Sequence, residues 1–241
     1  MTRFLAVLGC VVLVGTFGLA DFRYAFYYDL TEERDLVVNV MNTLPLDNMV
    51  TITVYTAFGQ VLWNSTSTLG GYVSTYVPLS RFIPTGQDHW GLVTIDATSP
   101  VLIALEYIAN DALVSVNIIS HPLPSFLEQA SYWLGVYYNQ VGRRTTRIVL
   151  MNPWAENTSC SLAIYRQDGN TIQEFSLTVL PYGSAYIDLG KIWGQGSYLW
   201  GLVDIEMTER PLGVAVEYAG EGVEIVNLSE PYFFQPWIQP R

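Results

Sequence analysis

Cysteine, histidine and positive charge are all scarce in this chain. Of 241 residues, two are Cys and two are His. Cys10 falls in the N-terminal apolar stretch, so Cys160 has no partner for an intrachain disulfide. It reads as a buried strand thiol, with a bridge to another molecule as the alternative in an oxidising compartment. His89 and His121 have no companion at the spacing of a metal site or a triad. H-E-x-x-H, C-x-x-C, EF-hand and G-x-S-x-G patterns are absent. No cofactor is expected on these grounds. Loop carboxylates such as Asp47, Asp88 and Asp168 are the ligand type of a structural Ca²⁺, but no motif supports one. Lys and Arg number 11 against 22 Asp and Glu, a net charge of −11. That balance argues against nucleic-acid binding, which needs a basic surface.

Long helical stripes are also lacking. Outside the first 20 residues no segment sustains a 3.6-residue apolar period. One helical turn is expected over Phe126–Leu134, at a Pro-marked connection. Gly190–Gly196 is Gly-rich but lacks the order and helix of a phosphate-cradling motif, and Gly194–Gly196 reads as a flexible loop.

What is present begins with a leader. Arg3 precedes an apolar run from Phe4 to Phe17, and Gly18-Leu19-Ala20 offers a peptidase site. Residues 1–20 are read as a signal peptide, with Asp21 starting the mature chain. The alternatives are retention as a short anchor or lipidation of Cys10 through Val7-Leu8-Gly9-Cys10. Contact with a membrane is expected only through such an N-terminus. The location expected is secreted, periplasmic or envelope-associated.

The rest is duplicated. Trp90 and GLVTI at Gly91–Ile95 reappear as Trp200 and GLVDI at Gly201–Ile205, 110 residues on. The same offset aligns Tyr27-Tyr28 with Tyr137-Tyr138, Asn42 with Asn152, Tyr55 with Tyr165, Gly59 with Gly169 and Tyr76 with Tyr186. Downstream the offset becomes 111, pairing Glu106-Tyr107 with Glu217-Tyr218. Register held over so much of the unit signals a true repeat. The domains are 21–122 and 132–230, joined by a linker at 123–131 and followed by a C-terminal tail at 231–241.

Within each unit the pattern has period 2. VTITVY at Val50–Tyr55 and CSLAIY at Cys160–Tyr165 alternate, and each leads into a Gly-bearing hairpin turn. Six to eight short strands per unit, with turns at regular spacing, predict an all-β chain of two tandem antiparallel β-sandwich domains.

The run RIVLMNPWAENTSCSLAIYRQDGNTI, preceded by Tyr137-Tyr138 and followed by Pro181 and Ile187–Leu189, resembles small bacterial β-sandwich domains of extracytoplasmic proteins of undefined function. More distantly it is similar to the sensory-rhodopsin transducer family. That resemblance implies a β-sandwich, oligomers and a connection with ligand or carbohydrate binding. The first copy departs from it, with Asn42-Thr43 in place of Asn-Pro. No functional residue is carried over.

Glu106 and Glu217 are acids repeated inside apolar strands. They read as solvent-face or edge residues, with a ligand-binding acid in each domain as the sharper alternative. Being in different domains, they are poor candidates for a glycosidase pair. Trp90 and Trp200 are expected in the core because they are equivalent. Trp154 and Trp193 lack aromatic counterparts and are the surface candidates for stacking on a sugar or partner. The function expected is a noncatalytic structural or protein-interaction module of an extracellular or envelope assembly, with a protein partner or self-association. The alternative is a carbohydrate-binding protein using loop aromatics.

Overall fold

A computed structural model describes residues 22–31, 33–86, 89–123, 131–194, 198–208, 210–220 and 222–228. The leader, most of the linker and the aromatic tail with Trp237 lie outside these residues, as does Asp88. The described chain is all-β, with four four-stranded antiparallel sheets. In the first module the strands are β1 (Phe22–Asp29), β2 (Arg34–Asn42), β3 (Asn48–Thr56), β4 (Val61–Leu69), β5 (Ser74–Pro78), β6 (Trp90–Ala97), β7 (Val101–Ala109) and β8 (Ala112–Ile119). The second repeats the plan as β9 (Ser131–Asn139), β10 (Thr145–Met151), β11 (Thr158–Arg166), β12 (Thr171–Val179), β13 (Ser184–Asp188), β14 (Trp200–Thr208), β15 (Gly213–Ala219) and β16 (Val223–Leu228).

Sheet A runs β1-β6-β3-β4 and sheet B runs β5-β2-β7-β8. Their counterparts are sheet C, β9-β14-β11-β12, and sheet D, β13-β10-β15-β16. Strand order is therefore the same in both modules, as tandem duplication requires. The helical turn expected up to Leu134 is not formed at its described end, because residues 131–134 pair with β14 as strand. Leu189–Trp193 forms a short helix, α1, where no helical pattern was read from the sequence. The Asp188 carboxylate accepts from the Gly190 and Lys191 backbone N–H groups and caps it.

The repeated residues have local reasons. Asn42 and Asn152 are buried, and each Nδ2 donates to three carbonyls: Leu46, Leu69 and Gly70 in one copy, Glu156, Val179 and Leu180 in the other. Gly91 and Gly201 lie against the neighbouring strand. A Cβ there would meet the Tyr55 carbonyl oxygen at 2.6 Å or that of Tyr165 at 2.1 Å. The polar edge strands β4 and β12 carry hydroxyl pairs, Thr51 with Thr66 and Ser159 with Thr178, that suit a solvated face.

The two modules stack. Val149, Met151, Ala215 and Ile225, on the outer face of sheet D, belong to the same core cluster as the first module. Their neighbours Ile148, Leu150, Val214 and Val216 point into the second module's own core. Sheet D is thus covered on both faces, an environment that suits its nearly continuous apolar runs RIVLM and GVAVEY. The layers are ordered B, A, D, C. Cys160 is buried within the second core.

Candidate functional site

The junction of the two modules, where sheet A and the β7–β8 side of sheet B meet sheet D, is sealed by polar contacts as well as apolar ones. Asn227 accepts from the Tyr27 backbone N–H at 2.9 Å and donates to the Tyr107 hydroxyl at 2.6 Å. Asn117 donates to the Ile225 carbonyl at 2.9 Å. Tyr55 and Tyr182 stack with centroids 4.8 Å apart and planes 3° apart.

At one end the junction opens into a cleft of about 490 Å³. One side is aromatic: Trp90 of β6 and Tyr186 of β13 approach to 5.6 Å, and Tyr27 lies 6.5 Å from Trp90. The other side is charged. Arg34 pairs with Asp29, which also accepts from the Thr31 backbone N–H and hydroxyl. Arg147 donates to Glu217 at 2.5 Å and lies 3.5 Å from Asp188. Glu217 is also 3.6 Å from Arg34, so one carboxylate holds an arginine from each module. Lys191 completes the rim. Arg147 Nε and Glu217 Oε2 are buried without a hydrogen-bond partner.

Burial opposes the charge on Arg34, but Asp29 and then Glu217 outweigh it and raise its pKa. Arg147 is raised in the same way, with Glu217 the largest opposing influence to its burial. Burial first, then the Glu217 carboxylate, push the Tyr186 phenol up. The cleft therefore presents cations, carboxylates in ion pairs and neutral phenols.

The four residues singled out from sequence are not brought together. Glu217 is buried behind the two cleft arginines it pairs with, Arg34 and Arg147, rather than on a solvent face. Glu106 sits on the outer face of sheet B and accepts from Asn39 at 3.2 Å. Trp154, expected at the surface, is buried: its Nε1 donates to the Pro211 carbonyl at 2.7 Å, and the guanidinium carbons of Arg23 and Arg210 each lie 5.6 Å from its ring. Trp193 packs 5.5 Å from Tyr138 against the second core. The expectation for the equivalent pair is also corrected. Trp90 is partly exposed at the cleft, and Trp200 is exposed. Equivalence put them at matching strand starts, not in matching surroundings.

Arg34, Arg147, Asp188, Lys191 and Tyr186 were missed because they belong to one cleft only once the modules stack. The usable signal was a cation inside an apolar strand, Arg147 before IVLM. Among the described residues no group of three or more His, Cys, Asp or Glu could hold a metal ion, and no helix is long and apolar enough to cross a membrane.

No family model matches the chain, and no curated protein does. Among solved structures, the PBSX exported protein XepA is similar over 84% of this chain and 81% of its own, at 12% identity and a TM-score of 0.26. A glycosyl hydrolase family 2 member from Bacteroides cellulosilyticus DSM 14838 is similar over 86% of this chain and 28% of its own, at 9% identity and a TM-score of 0.21. For Bacteroides uniformis beta-glucuronidase 2 the shares are 85% and 25%, at 11% identity and a TM-score of 0.19. The chain spans about a quarter of those two hydrolases. Likenesses this remote say nothing of what this chain binds.

Proposed function

We propose that the chain is a noncatalytic carbohydrate-binding protein of the cell envelope or extracellular space, with its ligand in the cleft between sheets A and D. The observation that carries this reading is the division of the cleft into an aromatic side, Trp90 and Tyr186, and a charged side, Arg34, Asp29, Arg147, Asp188 and Lys191. A sugar ring has the matching division. Its C–H face packs on aromatic rings, and its hydroxyls need fixed donors and acceptors. Catalysis is not part of the reading. Each carboxylate in the cleft has an arginine partner, and none stands free to protonate a leaving oxygen as glycoside hydrolysis requires.

A glycan array probed with the chain, followed by calorimetric titration of any hit, tests this. Binding that Trp90→Ala and Tyr186→Ala each weaken about tenfold is the expected result. Retained binding in both variants, or no binding across neutral and acidic glycans, removes the cleft as a sugar site.

A further inference from the structure

Within the chain, the outer face of sheet A lies against the outer face of sheet D. Duplication supplies a second such pair, sheet C and sheet B, and no described residue covers either. Leu92 on sheet A is 0% exposed, whereas its counterpart Leu202 on sheet C is 44% exposed. Ile225 on sheet D is 2% exposed, whereas Val116, in the same place on sheet B, is 53% exposed beside exposed Ile118 and Leu113. At these positions both free faces stay apolar, although Asn39 on sheet B stands where buried Val149 stands on sheet D.

The contacts that join A to D also have counterparts waiting on C and B. The Trp90–Tyr186 ring pair corresponds to Trp200 on sheet C and Tyr76 on sheet B, both exposed. The Tyr55–Tyr182 stack corresponds to Tyr165 and Tyr72. Tyr72 is exposed and holds the same left-handed backbone as Tyr182, φ 61° against 54°. The ion pair of Arg34 with Glu217 corresponds to Arg144 and Glu106. Where the junction sets Asn117 on the β8 edge against Asn227, the corresponding residues are both apolar: half-buried Val226 on the β16 edge of sheet D and exposed Ile118 on sheet B. The free face of sheet C differs in bearing Asp204 and Glu206 where sheet A has Thr94 and Asp96, so it is the more acidic of the two.

We propose that sheet C of one copy docks on sheet B of a second copy, repeating between chains the junction that A and D make within one. Such a contact is heterologous. It joins copies head to tail and leaves a free face at each end, so it propagates into an open filament or closes into a ring. It uses surfaces apart from the sugar cleft and stands independently of the carbohydrate reading.

Sedimentation velocity of the full chain over a range of concentrations tests the proposal, with far-UV circular dichroism confirming that each variant is folded. The parent should shift to higher mass with concentration. Leu202→Asp, which spoils only the sheet C face, and Ile118→Asp, which spoils only the sheet B face, should each stay monomeric. Mixed together they should form a one-to-one dimer and nothing larger, because one intact face of each kind remains. Arg144→Glu should weaken association, and adding Glu106→Arg should recover it. A parent that is monomeric at every soluble concentration overturns the proposal. So does either Asp variant that associates by itself, since that shows like faces pairing or a different surface.

Discussion

Glu217 and Glu106 stand at equivalent positions of β15 and β7, facing Arg147 and Val37 across the ladder. Glu217 is buried between an arginine of its own module and one from the other, while Glu106 accepts a hydrogen bond from Asn39 on an open sheet. The strands that carry them are paired alike. What differs is the layer above, which sheet D has and sheet B lacks. Coverage of a sheet, not the sheet itself, decides whether a repeated acid becomes a structural ion pair or remains a surface group.

The sharpest way to break that comparison is to delete each acid. Glu217→Ala leaves two partly buried arginines without their shared carboxylate and should lower stability by about 3–5 kcal/mol. Glu106→Ala should change it by less than about 0.5 kcal/mol. Urea unfolding of both variants measures the difference. Equal losses would mean that the junction does not depend on its charges. A second pair asks the same of apolar contact. Leu92→Ala should lose about 2–4 kcal/mol, and Leu202→Ala, measured at high dilution, less than about 0.5 kcal/mol.

The sheets were legible because their signals are local. Alternation in VTITVY and CSLAIY set which side chains face inward, and Gly59 and Gly169 marked the hairpins, both with φ near 80°. Repetition then fixed the second module from the first. The cleft was not legible, for a related reason. Sequence repetition aligns Trp90 with Trp200 and Glu106 with Glu217, but stacking of one module on the other treats the members of each pair differently. Trp154 misled in the opposite direction: a tryptophan without a counterpart looks free, yet here it fills the junction that only one copy has. Asp188 and α1 were hidden because a cap and one helical turn leave too short a pattern to detect.

Features internal to each module should respond alike in both copies, which sharpens the contrast with the junction. Asn42→Ala and Asn152→Ala each strip one side-chain partner from three loop carbonyls. Each should lose about 1–3 kcal/mol by urea unfolding. A large inequality would show that one of these asparagines supports the junction as well as its own loop.

The smallest effect at neutral pH separates the copies by a single buried group. Cys160 occupies the place of Val50, and burial pushes its thiol from an ordinary value of about 8.5 up to about 12. The unfolded chain therefore releases this proton first, so between those values the folded state binds more protons and stability falls as pH rises. Cys160→Val installs the residue of the first copy and should change stability at pH 7 by less than about 1.5 kcal/mol. Above about pH 8.5 the variant should gain steadily on the parent, because its unfolded state has no thiolate to form. Buried tyrosines such as Tyr24, whose phenol is raised by burial, keep the variant's own curve sloping downward at alkaline pH. The diagnostic quantity is thus the difference between the two chains. Urea midpoints measured from pH 7 to 10.5 give it, and a difference that stays constant would place the Cys160 thiol in contact with water.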